Sequence, residues 1–143
     1  GRGRRPHRFR RAEMTDLDLP GLEALARAVR QHAHAPYSQF RVGAAVRAGS
    51  GEAYVGCNVE NASFGATVCA ERNAIGAAVA AGESEILAVA VHTEAETPAL
   101  PCGICRQVIQ EFGPAAVIVS TTATDRRQTT LAALLPEAFV FRR

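Results

Sequence analysis

The 143-residue chain is long enough to bury one substantial core without disulfide staples, and its 48% hydrophobic and 21% charged residues describe an ordinary globular domain. Residues 1–13 hold six arginines against one glutamate, so of the overall net charge of +2 the rest of the chain carries −3, a poor surface for nucleic acid. No apolar run is long enough to span a bilayer, and no apolar stretch follows the basic start as in a secretory signal; the chain is therefore expected in the cytosol, where four cysteines point to metal or catalysis rather than to disulfides.

In chain order, GRGRRPHRFRRAE reads as a disordered leader or the remnant of an artificial or misplaced start, since Met14 follows it directly. Residues 14–143 then form a single domain. Asp18 is placed to cap a helix whose first turn suits Pro20, and Leu22, Leu25, Ala26 and Val29 recur at helical spacing on one buried face. That helix is expected to end near His34, because Ala35-Pro36 forces an extended step. Phe40–Ala48 and Glu52–Cys57 read as strands joined by a Gly49-Ser50-Gly51 hairpin. The polar loop NVENASFGAT leads into a helix from Cys69 that stops at Gly82, a residue suited to the left-handed position after a helix. Ile86–His92 reads as a third strand. CGICRQVIQEF reads as a second long helix closed by Gly113-Pro114, and Ala116–Ser120 as a fourth strand. A weaker strand follows, and Thr129 or Thr130 caps a last helix, LAALL, stopped by Pro136. Strands alternating with helices predict a three-layer α/β/α sandwich around a mixed five-stranded sheet.

Two of these helices open on reactive residues. Cys102 and Cys105 in PCGICRQ are separated by two residues, which brings both sulfurs to one side of a first helical turn. Cys69 begins the other helix. Helix starts offer free N–H groups and the positive dipole end, both of which favour thiolate over thiol. Three thiolates on zinc leave one tetrahedral position open, the arrangement of catalytic rather than structural sites. Glu71 leaves its helix at a different angle from Cys69, so it can reach that open position and carry a proton from a metal-activated water without ligating the metal. Arg72 has a separate rationale: a guanidinium donating to sulfur draws back charge that would blunt the metal as a Lewis acid. A Cys₃ or His-Cys-Cys metal set with a nearby glutamate and a P-C-x-x-C segment is the signature of zinc nucleobase deaminases. Cys57, in a strand, is expected to be a buried small residue, and His32 and His34 to have no catalytic role.

The segments APYSQFRVGAAV, GCNVENASFG, CAERNAI, PCGICRQV and LLPEAF occur in this order between Ala35 and Phe139, and together they resemble the cytidine deaminases of the small, homotetrameric, Cys₃-zinc kind. The resemblance implies one zinc per subunit on Cys69, Cys102 and Cys105, with Glu71 as proton shuttle and Arg72 tuning the thiolates. It further implies Phe40 against the pyrimidine ring, Asn58 and Glu60 on the ribose, chiefly its 3′-hydroxyl, Ala70 among the substrate contacts, and Phe139 from a neighbouring subunit covering the base. The implied reaction is hydrolytic deamination of cytidine and 2′-deoxycytidine in pyrimidine salvage, on a free nucleoside and with no nucleic-acid or membrane partner. Phe64 stands where tyrosine is common, which removes one hydroxyl. Asn73 stands for a common threonine and Glu137 for a common glycine. Three other readings stay open from sequence: deamination of an aminonucleoside antibiotic such as blasticidin S, polynucleotide editing, and a non-enzymatic zinc module with Cys57 as fourth ligand. The acidic body disfavours editing, and the last leaves Glu71 without a role.

Overall fold

The computed structural model describes residues 17–141; the predicted leader at residues 1–13 lies outside them. Four helices and five strands alternate: α1 (Leu19–Val29), β1 (Gly43–Ala48), β2 (Ala53–Cys57), α2 (Ala70–Ala80), β3 (Ile86–His92), α3 (Gly103–Phe112), β4 (Val117–Thr121), β5 (Arg126–Thr130) and α4 (Leu131–Leu134). The sheet order is β2-β1-β3-β4-β5. Only β3 and β4 run parallel; every other neighbouring pair is antiparallel. A parallel pair needs a crossover, and α3 is that crossover, so its first turn lies at the end of the loop that leaves β3.

The sheet is buried from both sides. Ala44, Val46, Val89, Val91 and Ile118 pack under Ala74, Ile75 and Ala78 of α2, Ile109 of α3 and Leu131 of α4. Ala45, Ala88, Ala90 and Val119, on the other face, pack under Leu22 and Ala26 of α1. These are the three predicted layers, and β1 and β3, covered on both faces, are the near-continuous apolar runs such burial demands. Leu22 is fully buried, and removing a side chain of that kind from water is worth about 2–3 kcal/mol. No helix among the described residues is long and apolar enough to cross a membrane.

Helix ends follow local chemistry. Asp18, in the left-handed region, accepts from the Gly21 N–H, with Pro20 in the first turn as predicted. Gly82 has φ 95° and closes α2 with paired bonds, Gly82 N–H to Val79 O and Glu83 N–H to Ala78 O. Thr130 caps α4. Two boundaries differ from the reading of the sequence. The α-helical part of α1 stops at Val29, a 3₁₀ turn takes Arg30–His32, and Ala33 is already extended so that His34 can pair with Val59. β1 begins at Gly43 rather than Phe40, because Phe40 O and Val42 N bond to the Asn58 side chain rather than to strand backbone.

α2 sits directly on β2 because Gly56 has no side chain. A Cβ there would lie 2.3 Å from the Ala74 nitrogen and 2.6 Å from the Ala70 oxygen, both backbone atoms of α2. Gly56→Ala is therefore expected to push α2 off the sheet and cost about 3 kcal/mol or more, read from urea unfolding midpoints. Asn73 holds the same junction from the helix side, its Nδ2 donating to Cys57 O at 2.8 Å.

Candidate metal centre

Cys69 and Cys102 are the N-cap residues of α2 and α3, both in extended backbone, and neither side chain caps its helix. Their sulfurs are left free, and they meet: Cys69 Sγ and Cys102 Sγ are 3.8 Å apart. Cys105, one turn into α3 and fully buried, adds a third, and all three sulfurs lie within 4.8 Å of one another. Zinc–sulfur bonds of about 2.3 Å at tetrahedral angles need a sulfur–sulfur edge of about 3.8 Å, so the cluster has the dimensions of a Cys₃ zinc site. It is the one group of three or more such ligands among the described residues. Cys57 lies outside it and is half-buried rather than buried as expected, and burial pushes its thiol up.

The loop feeding Cys102 is pinned from several directions. Ser120 Oγ, in β4, donates to Ala99 O at 2.6 Å, and Pro101 is fully buried. The loop before α2 is held by the Val59–Val68 bridge. The sulfurs are thus placed by backbone that β4 and the Val59–Val68 bridge hold.

Electrostatics favour anionic sulfur at Cys69. A hydrogen bond from the Cys105 thiol, then Arg72 and Cys102, pull its thiol down to about 5, against burial. The same bond, with burial, pushes Cys105 up, and metal binding would release the protons that the thiols hold. Arg72 reaches in with one terminal nitrogen, 3.7 Å from Cys69 Sγ and 3.4 Å from Thr67 O, and its buried Nε has no partner. Glu71 is 5% exposed, one residue into the dipole end of α2. Burial, aided by the negative Cys69, raises its carboxyl to about 7 although its own backbone N–H and Cys105 oppose the shift. A carboxyl poised there can both take and return a proton near neutrality.

Of the other predicted residues, Glu60 lines a cleft of about 360 Å³ together with Tyr37, Ser38, Phe64 and Thr67. Asn58 is buried; its Oδ1 accepts from Val42 N at 2.8 Å and its Nδ2 donates to Phe40 O at 2.8 Å. Glu60 accepts from Tyr37 N at 3.0 Å, Ser38 N at 3.1 Å and the Ser38 hydroxyl, contacts that hold its carboxyl below its ordinary value. Both side chains therefore set the course of residues 37–42. Gln39 in that segment has φ 61°, a conformation a non-glycine residue adopts only when its surroundings impose it. Phe40 is 43% exposed and Phe139 71% exposed, while Ala70 is buried at the first position of α2. Reading the sequence missed Tyr37 and Ser38 as the partners of Glu60; the APYS segment was the available signal. A larger groove of about 600 Å³, lined by Glu23, Arg27, His92, Thr121, Asp125 and Arg126 among others, lies on the α1 side and contains none of the thiols.

A mixed sheet carrying three convergent thiols, a buried carboxyl and a guanidinium at facing helix starts defines a zinc deaminase architecture. Residues 21–121 match the family profile described as the cytidine and deoxycytidylate deaminase zinc-binding region. The cytidine deaminase of Sporosarcina psychrophila is 45% identical over 125 residues, covering 86% of this chain and 92% of that protein. The cytidine deaminase of Mycobacterium tuberculosis H37Rv is 39% identical over 126 residues, covering 88% and 92%. The crystal structure of cytidine deaminase from Burkholderia pseudomallei superposes with a TM-score of 0.81 at 47% identity, covering 84% of this chain and 98% of that one. The chain belongs to the cytidine deaminase family.

Proposed function

We propose that the protein hydrolyses cytidine and 2′-deoxycytidine to uridine and 2′-deoxyuridine with release of ammonia. The observation that carries this reading is Glu71, a buried carboxyl at the start of α2 beside three thiols within 4.8 Å of one another. Zinc, when held by Cys69, Cys102 and Cys105, supplies Lewis-acid activation of water. Glu71 takes the proton released as water attacks C4, gives it to N3, and then carries a proton to the departing amine. Its raised pKa suits both halves of that traffic. Arg72 withdraws charge from Cys69 and so keeps the ligand set from saturating the ion. The free N–H of Ala70 at the first turn of α2 is a donor for the base.

Phe40 offers a ring face to the pyrimidine. Asn58 and Glu60 fix that segment and retain lone pairs for a sugar hydroxyl, since a carboxylate accepts at about four sites and an amide oxygen at two. The cleft beside them holds a carboxylate and no basic side chain, which favours a nucleoside over a nucleotide. Phe64, Phe139 and Phe141 are each more than 70% exposed, far from the usual state of phenylalanine. Such exposure supports a homotetramer in which Phe139 covers a neighbour's base; elution at monomer mass in gel filtration would remove that reading.

The test is ammonia release from zinc-loaded protein given cytidine, deoxycytidine, CMP or blasticidin S separately. Turnover of both nucleosides with at least tenfold poorer use of CMP is expected. Turnover of blasticidin S alone would move the substrate to the antibiotic class. A further variant, Glu60→Gln, keeps size but weakens the charge-assisted bonds to Tyr37 and Ser38. It is expected to raise KM about tenfold with a smaller effect on kcat, measured by steady-state kinetics on cytidine.

A further inference from the structure

Arg106 follows the third thiol and, unlike Arg72, does not approach the sulfurs. Its bonds run instead to the backbone around Cys102. Arg106 Nε donates to Pro101 O at 2.7 Å, while its backbone N–H donates to Cys102 O at 2.9 Å. Pro101 O belongs to the peptide plane that ends at the Cys102 nitrogen, and Cys102 O to the plane that leaves Cys102. One residue therefore holds both peptide units flanking the ligand and fixes the Cα from which the sulfur projects. The same side chain donates through Nη1 to Leu134 O at 3.0 Å, where α4 ends with carbonyls that lack helical partners. Gln107 Nε2 continues the seam by donating to Phe139 O at 3.0 Å.

Cys102 needs such support. It is the exposed member of the three, its side chain makes no capping bond, and α3 begins only after it. Cys69 has Arg72 beside its sulfur, and Cys105 is enclosed by the core. A planar guanidinium can serve two carbonyls at once, which a lysine ammonium on a flexible stem does less well.

We propose that Arg106 is a positioning residue for the metal centre: it locks the Pro101–Cys102 backbone to α4, so that Cys102 presents its sulfur in ligating geometry before metal arrives. The inference rests on the assignment of Cys102 as a ligand. Its test uses the zinc-loaded protein with Arg106→Gln, Arg106→Lys and Cys102→Ala. Zinc transfer to a chromogenic chelator and the thiolate charge-transfer band of the cobalt-substituted protein are followed beside kcat and KM for cytidine. Arg106→Gln is expected to release zinc about 10- to 100-fold faster, to alter the cobalt band, and to lower kcat more than it raises KM. Arg106→Lys should recover part of each loss by serving one carbonyl. Unchanged zinc release and an unchanged cobalt band in Arg106→Gln, with only a lower melting temperature, would overturn the proposal and leave a plain structural strut. Full zinc in Cys102→Ala would overturn the ligand assignment and this inference with it, whereas a metal-poor Cys102→Ala beside a normal Arg106→Gln would overturn this inference alone.

Discussion

Glu71→Gln is expected to keep its zinc and lose turnover by about 10³- to 10⁴-fold, the upper range for a group that moves protons in the transition state. Every proton in the proposed hydrolysis passes through this carboxyl, and an amide of the same shape cannot carry one. The substitution also removes an ionisable group that is 5% exposed and crowded by an anionic sulfur. Burying a neutral amide costs less than burying a charge, so folding stability should hold or rise slightly. Zinc quantified by emission spectroscopy, cytidine turnover, and thermal melting together make the test. Turnover within tenfold of the parent would take Glu71 out of the mechanism. Loss of zinc would mean that Glu71 supports the ligands rather than the proton.

Cys102→Ala is expected to hold well under one zinc per chain and to be inactive. Its melting temperature should fall by on the order of 10 °C relative to the zinc-loaded parent, about 2–3 kcal/mol for a chain of this length. The ligand set spans the loop from Cys69 to Cys102, 33 residues, so the metal acts as a cross-link as well as a reagent. Cys57→Ala is the matching control. Cys57 stands outside the thiol cluster, and its replacement should leave zinc, turnover and the cobalt spectrum unchanged. Zinc loss in Cys57→Ala would revive a four-sulfur, non-enzymatic site.

The chemistry was legible in the sequence because it sits at helix starts, where residue type and position are tightly coupled. Cys69 ahead of an alanine-rich run and Cys102 after a proline mark two N-caps, and both helices begin where that predicts. The sheet was legible for a related reason. β3 is buried throughout, and its apolar run carries that plainly. β5, RRQTT, is an exposed edge strand with charged residues and no apolar face, so its sequence announces a strand only weakly. The start of β1 was misread because Asn58 imitates a neighbouring strand: its amide satisfies Phe40 O and Val42 N, and nothing in periodicity distinguishes a side-chain partner from a ladder. The same blindness hid Arg106 and the Tyr37–Ser38 clasp on Glu60. Most are side-chain bonds to backbone, and such bonds depend on tertiary placement rather than on local pattern.

The parallel pairing of β3 with β4 also divides the ligand set along the chain. A growing chain that has emerged as far as Leu100 can form the β1–β2 hairpin and α2, yet it carries a single cluster thiol, Cys69. The other two lie at the start of α3, within the crossover that joins β3 to β4, where Ser120 of β4 holds Ala99 in the loop leading to them. The ligand set is therefore complete only in a chain that extends past Cys105, and a product that stops before Cys102 carries one of its three sulfurs.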